Sequence, residues 1–538
     1  MASPPPAGDV AWWQRAVLYQ IYPRSFQDSD GDGVGDIRGI RQRLDHLVDL
    51  GVDALWLSPI FPSPMADFGY DVSDYCDIDP LFGSLADFDA MLADAHARGL
   101  KVILDLVANH TSNRHAWFEE SRSSRSAARR DWYIWRDPGP GGGPPNNWLS
   151  EFGGGAWEYD VATGQYYLHT FLASQPDLNW HNPAVRAAMH DVLRFWLKRG
   201  VDGFRTDAIR HLIKDKAFRD NPANPDFRDG DPPDHAVLPV YTADLPETHE
   251  VIAGLRDVID EFPDRLLIGE LNLPFDALVS YYGRDLSGLH LPFNFALMRS
   301  PWQARHLASL IDAYEAALPK GGWPNWVLGN HDKPRVASRV GDEQAGVAAM
   351  LLLTLRGMPT LYYGDEIGMR QAEIPPDRVR DPFEINVPGR GLGRDGCRTP
   401  MQWDASERAG FTPAEPWLPL GQDHRIRNVE NQAADRTSLL SLHRRLIRLR
   451  RAHPALSIGD YRPMAASGDL LVFQRVLARE RFLVALNLGC QPSEIDFAAG
   501  AIRGRLVVST QGDRDGESVE DAVALRGNEG VVIELATA

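Results

Sequence analysis

Cysteine is scarce in this chain. Its 538 residues include three, Cys76, Cys397 and Cys490, far apart and without a C-x-x-C pair. This excludes a disulfide framework and fits a reducing compartment, so a cytoplasmic location is expected. Basic runs are absent too. Lys and Arg number 56 against 74 Asp and Glu, a net charge of −18, so no nucleic-acid partner is expected. Long apolar runs are missing. The most apolar, Ala345 to Leu355, is stopped by Arg356, well short of the roughly 18–20 residues that span a bilayer; no membrane association is expected. Met1 to Pro6 lack the basic stretch and apolar core of a secretory leader. Histidine pairs at the spacing of zinc enzymes are also lacking. What is present is a 43% hydrophobic composition. That is enough for a large core, in a chain too long for one ordinary domain unless a barrel with insertions absorbs it.

Taken in order, residues 1–12 read as a Pro-rich arm, and Val17 to Tyr22 as a first strand. Asp28, Asp30, Asp32 and Asp36 then alternate with glycines. Such spacing wraps oxygen ligands around a hard cation, with the Val34 carbonyl as a further ligand. The loop is not an EF-hand, because Gly39 stands where a bidentate Glu belongs, and an acidic turn is the plain alternative. Strands and helices then alternate. A helix is expected from Asp36 to Leu50, with Ile37, Ile40, Leu44, Leu47 and Val48 on one face and Gly51 ending it. A strand at Ala54–Leu57, a helix at 84–98 capped by Ser84 and a strand at Lys101–Val107 follow. Residues 111–181, rich in Gly, Pro, Trp and Tyr, read as an inserted small domain. The alternation resumes at Pro183 and runs to a helix at 436–452, interrupted by a second insertion at about 366–435. Eight strands and eight helices imply an α/β fold, a closed (β/α)8 TIM barrel formed by 1–110 and 182–456. Beyond 457 the chain turns to short alternating strands, a C-terminal all-β sandwich domain to residue 538.

In such barrels chemistry gathers where the strands end. The polar residues there are Asp105 and His110, Arg205 and Asp207, Glu270, and His331 with Asp332. Arg205 and Asp207, two apart, project from one side of their strand, and an arginine keeps a neighbouring carboxylate ionised. Alone, that pair is as well explained by structure. In this company Asp207 reads as a catalytic nucleophile. Carboxylates brought together oppose each other's ionisation, so one keeps a proton. A protonated carboxyl beside an ionised one is the pair that glycoside hydrolysis uses. A divalent-metal site is the alternative for the same cluster.

Several stretches carry a resemblance: Asp105 to His110, Gly203 to Asp207, Ile268 to Glu270, Asn330 to Asp332, Gln175 to Asn179, Gly357 to Glu366 and Arg398 to Trp403. Over nearly its whole length the chain resembles the α-glucosidases of the α-amylase superfamily, glycoside hydrolase family 13. Gln175 to Asn179 resembles the subgroup of oligo-1,6-glucosidases and exo-acting α-glucosidases. The resemblance implies Asp207 as nucleophile, Glu270 as acid and base, and Asp332 as the carboxylate gripping sugar hydroxyls. It implies His110 and His331 as hydrogen-bonding partners of the sugar, Tyr70 as its stacking platform, and Asp67 with Arg398 as the pair closing the glucose pocket. Arg205 would hold Asp207 ionised, and Phe171 either lines the wall or belongs to the core. Asp28 to Asp36 match a structural calcium or magnesium site, with no cofactor in catalysis. The implied partners are a short oligosaccharide and an alcohol or sugar acceptor, met by a monomer or homodimer. Ala208 after the nucleophile resembles α-1,4 rather than α-1,6 cutters.

Overall fold

The computed structural model describes residues 10–498 and 502–536. The Pro-rich arm expected at 1–12 falls mostly outside them; Trp12–Arg15 forms a short helix. Eight parallel strands follow: β1 Leu18–Ile21, β2 Ala54–Leu57, β3 Lys101–Val107, β4 Gly203–Asp207, β5 Leu266–Leu271, β6 Leu291–Asn294, β7 Asn325–Val327 and β8 Met358–Tyr362. They pair in the order β7-β8-β1-β2-β3-β4-β5-β6, and β6 packs beside β7 to bring the sheet round into a nearly closed barrel. The strands alternate by twos, as a pleated chain must. Leu18, Trp56, Ile103, Ile268 and Phe293 fill the barrel interior. Their neighbours Tyr19, Leu57, Leu104, Phe204 and Leu267 face the surrounding helices.

The helices follow their apolar period. Pro183–Arg199 starts on an Asn182 cap and stops at Gly200, whose φ of 108° lets the chain turn away. The helix expected from Asp36 to Leu50 is broken into Ile37–Gln42 and Leu44–Leu50. Arg43, at the break, donates through Nε to Gln27 Oε1 at 2.7 Å and lies over the Trp403 ring. The apolar face shifts across the break, so Leu50 is buried and Val48, expected inside, is 41% exposed.

The first insertion carries a small antiparallel sheet, Trp135–Arg136, Gln165–Leu168 and Trp157–Asp160. The second, after β8, is mostly irregular. Beyond Ser457 lies an antiparallel β domain. Six strands, from Asp460–Ser467 to Gly530–Leu535, make one sheet, and Ser493–Asp496 with Ala522–Leu525 make a second. Val472, Leu483, Ile495 and Val523 share its core. Arg450 and Arg475 clamp this domain to the barrel through backbone carbonyls: Arg450 Nη1 reaches Leu355 O and Leu456 O, and Arg475 reaches Leu456 O and Gly459 O. Among the described residues no helix is long and apolar enough to cross a membrane.

Candidate active site

The site is built first by strand register. Asp105 on β3 lies opposite Arg205 on β4, and Val107 opposite Asp207. On the other side Thr206 lies opposite Gly269, so Asp207 and Glu270 leave adjacent strands at the same level. Gly203 permits the close strand approach: a Cβ there would sit 2.2 Å from Leu266 O. Arg205, fully buried, binds what this register assembles. Its Nη1 donates to Asp105 Oδ1 at 3.0 Å and to Asp207 Oδ1 at 2.7 Å, and Nη2 lies 2.9 Å from Glu270 Oε2. One guanidinium therefore serves three carboxylates, which is how buried charges are held.

The electrostatics follow. Burial pushes Asp105 up to about 6, against the pull of Arg205. Burial and the neighbouring Glu270 push Asp207 well above the usual carboxylate range, again opposed by Arg205. After Asp207 the chain turns through Ala208 in the left-handed region, φ 45°. This costs a non-glycine residue about 1–2 kcal/mol. The turn aims the Ala208 N–H at Glu270 Oε2, 3.1 Å away.

His331 and Asp332 enter from the loop after β7. The His331 ring stacks on Tyr70, centroids 5.3 Å apart and planes within 2°. Its Nε2 lies 2.8 Å from Tyr70 Oη and 3.3 Å from Asp332 Oδ2. Burial drives His331 down to about 3, so the ring is neutral. Burial opposes the ionisation of Asp332, but the guanidiniums of Arg394 and Arg398 act against it, and the carboxyl is held well below its ordinary value.

The far end departs from expectation. Asp67 pairs not with Arg398 but with Arg394, whose Nη2 lies 2.7 Å from Asp67 Oδ1 and 2.6 Å from Asp381 Oδ1. Arg398 instead holds Asp332 Oδ1 at 3.1 Å and donates through Nε to His331 O at 2.8 Å. Both arginines come from the second insertion, four residues apart. Sequence reasoning took the one in the Arg398–Trp403 stretch and missed Arg394, which sits among glycines with no periodic signal. Gln175 was also left unassigned; its Nε2 reaches Asp67 Oδ2 at 3.3 Å. His110 donates through Nε2 to Tyr70 O at 2.9 Å, and its ring lies 5.0 Å from that of Phe171. Burial lowers the basicity of His110. The first insertion is tied in from below. Lys214 Nζ lies 2.7 Å from both Asp177 Oδ2 and Asn109 Oδ1, wholly out of solvent.

The acidic loop lies apart from this pocket. Asp28, Asp30 and Asp36 bring ligand oxygens within 4.8 Å of one another. Asp32 stands outside that group, with its Oδ1 accepting the Val34 N–H at 2.7 Å.

Residues 20–459 match the alpha-amylase catalytic domain. The chain is 46% identical over 496 residues to a probable alpha-glucosidase of Rhizobium meliloti, covering 89% of this chain and 90% of that one. It is 40% identical over 519 residues to an oligo-1,6-glucosidase of Parageobacillus thermoglucosidasius, covering 88% and 90%. Among solved structures, an alpha-glucosyl transfer enzyme superposes with a TM-score of 0.93 at 42% identity, covering 98% of this chain and all of that one. An isomaltulose synthase mutant from Erwinia rhapontici, solved with sucrose, superposes at 0.88 with 32% identity, covering 98% and 99%. With the barrel, the strand-end carboxylates and these likenesses together, the chain belongs to the α-amylase family of glycoside hydrolases, as an α-glucosidase of the group that includes the oligo-1,6-glucosidases.

Proposed function

We propose that the protein is a retaining, exo-acting α-glucosidase that releases terminal α-glucose from maltose and short α-1,4 oligosaccharides and transfers glucose to alcohol or sugar acceptors. The observation that carries this reading is Arg205 shared between Asp207 and Glu270 at the same strand level. Its short bond to Asp207 Oδ1 opposes the rise that burial and Glu270 impose on that carboxyl. The Arg205 and Ala208 contacts to Glu270 both fall on Oε2. Asp207 attacks the anomeric carbon as the bond to the leaving oxygen breaks, and Glu270 gives that oxygen its proton. Water or an alcohol then loses a proton to Glu270 and attacks the same carbon, releasing Asp207. Two inversions leave the α configuration, and any alcohol that outcompetes water yields a new glucoside. Asp332, ionised, accepts from sugar hydroxyls; neutral His331 lies beside it, with His110 as a further partner of the sugar, Tyr70 as platform and Phe171 as wall.

The Asp67–Arg394 pair, with Arg398 behind Asp332, blocks the far end, so one glucose fits and cleavage is terminal. The small Ala208 leaves room for an α-1,4-linked neighbour. Asp28, Asp30, Asp32 and Asp36, with the Val34 carbonyl, would hold a structural calcium or magnesium ion; oxygens of Asp28, Asp30 and Asp36 already lie within 4.8 Å of one another. In this reading the chain divides into barrel (1–110, 182–456), inserted domain (111–181) and C-terminal sandwich (457–538), and the protein is a cytoplasmic monomer or homodimer.

A proton NMR time course with maltose, isomaltose and sucrose in parallel tests the reading. Initial α-glucose, faster from maltose, is expected, with new anomeric signals from transfer. Initial β-glucose overturns the double displacement. Faster isomaltose turnover overturns the linkage assignment alone. Isomerised sucrose as main product moves the enzyme towards the isomaltulose synthases that it resembles.

A further inference from the structure

Gln20 lies inside the barrel on β1, fully buried. Its side-chain amide sits 2.7 Å from His331 Nδ1 and 3.2 Å from Ser58 Oγ. On the other edge of the same ring, Nε2 faces Tyr70 Oη at 2.8 Å and Asp332 Oδ2 at 3.3 Å. Tyr70 Oη in turn lies 3.1 Å from Asp105 Oδ2, which Trp56 Nε1 and Arg205 also reach.

A neutral imidazole carries one N–H, and the two choices are not equivalent here. A lone pair on Nε2 would point towards the Asp332 carboxylate and repel it, whereas an N–H there is attracted. Nδ1 must then be the acceptor, and only the NH2 half of the Gln20 amide can serve it. Once Nε2–H donates to Tyr70 Oη, the phenol has one proton left to give, and Asp105 is the acceptor in reach. The proton directions therefore run from Gln20 to His331, to Tyr70, to Asp105. At Asp105 they meet the guanidinium that also serves Asp207. The other charged groups around the ring, Arg394, Arg398 and Arg205, disfavour a second proton on it.

We infer that Gln20 is a positioning residue which, through its amide N–H, holds His331 in the Nε2–H form and so sets the hydrogen-bond direction of the whole pocket floor. This rests on the proposed glucosidase reading only for its activity readout. Gln20 touches no substrate; it decides which face of His331 is a donor towards Asp332 and the sugar.

Two variants test this. Gln20→Met keeps the volume and removes the donor; kcat/KM is expected to fall about tenfold, equally at every pH, as for loss of one buried hydrogen bond. Gln20→Glu is the sharper variant. While the introduced carboxyl and His331 share an additional proton, Nε2–H survives and activity stays near the parent's. When that proton leaves at higher pH, the carboxylate draws the remaining imidazole proton to Nδ1 and activity falls. A new alkaline loss in kcat/KM is therefore expected in Q20E and not in Q20M. Nitrogen-15 spectra of histidine-labelled protein give a readout independent of turnover. In the parent, one ring (assigned by its disappearance in His331→Asn) should have the Nε2–H pattern, and in Q20E at high pH the Nδ1–H pattern. Either an Nδ1–H pattern in the parent or a Q20E deficit parallel to the parent at all pH values overturns the inference. So does full activity in Q20M. If Asp207→Asn retained activity while the nitrogen spectra behaved as described, the glucosidase assignment would fall and the role of Gln20 in setting the ring would stand.

Discussion

Two regions of this molecule draw arginine out of solvent and use it differently. At the barrel mouth, Arg205 meets Asp105, Asp207 and Glu270, and Arg394 meets Asp67, Asp332 and Asp381. At the joint with the C-terminal domain, Arg450 and Arg475 are as deeply buried but meet backbone carbonyls. Their basicity is correspondingly depressed: burial lowers Arg450 to about 9, whereas the carboxylates around Arg205 overcome the same burial and raise it. A guanidinium among carboxylates sets where charge resides. A guanidinium among carbonyls ties chain ends that would otherwise lack donors. The same residue is an electrostatic part in one place and a clamp in the other.

The contrast is sharpest when broken at the mouth. Asp207→Asn keeps the shape of the Arg205 cluster and removes the nucleophile. A fall in kcat of about 10⁴ or more is expected with the thermal midpoint little changed; retained turnover ends the assignment. Arg394→Met leaves Asp67 and Asp381 facing an apolar side chain while Arg398 still holds Asp332. Here the expected result is a rise in KM for maltose of about a hundredfold, larger than any fall in kcat. A loss confined to kcat would place Arg394 in the chemistry instead of the pocket wall. Arg475→Met, at the other region, should lower stability by about 2–4 kcal/mol in urea titration and leave kcat/KM per folded molecule unchanged. If activity fell there too, the division between charge tuner and clamp would be wrong.

Much of the barrel was legible because each strand and helix declares itself locally. Lys101–Val107, Ala54–Leu57 and Pro183–Arg199 stand where apolar runs, an Asn cap and a terminal glycine place them. The break at Arg43 was not legible, because the apolar period continues through it and the cause is a side chain reaching Gln27 and Trp403. At the site, Asp105, Arg205, Asp207 and Glu270 could be found because residues at equivalent strand ends become neighbours by register alone. The partner of Asp67 could not. Arg394 is 327 residues away in an insertion without period, and Arg398, only four residues on, is an equally plausible candidate until the chain is folded.

The sequence by itself determined the alternation of strands and helices, and with it the level at which Asp207 and Glu270 emerge. Hydrogen-bonding period and capping are local properties, and a parallel sheet converts them into position. Only the tertiary structure decided which arginine meets Asp67, that Asp32 stands apart from the other loop carboxylates, and which atom of Gln20 faces His331. Those pairings depend on where irregular segments come to rest and on side-chain direction at the scale of one hydrogen bond, which spacing along the chain does not encode.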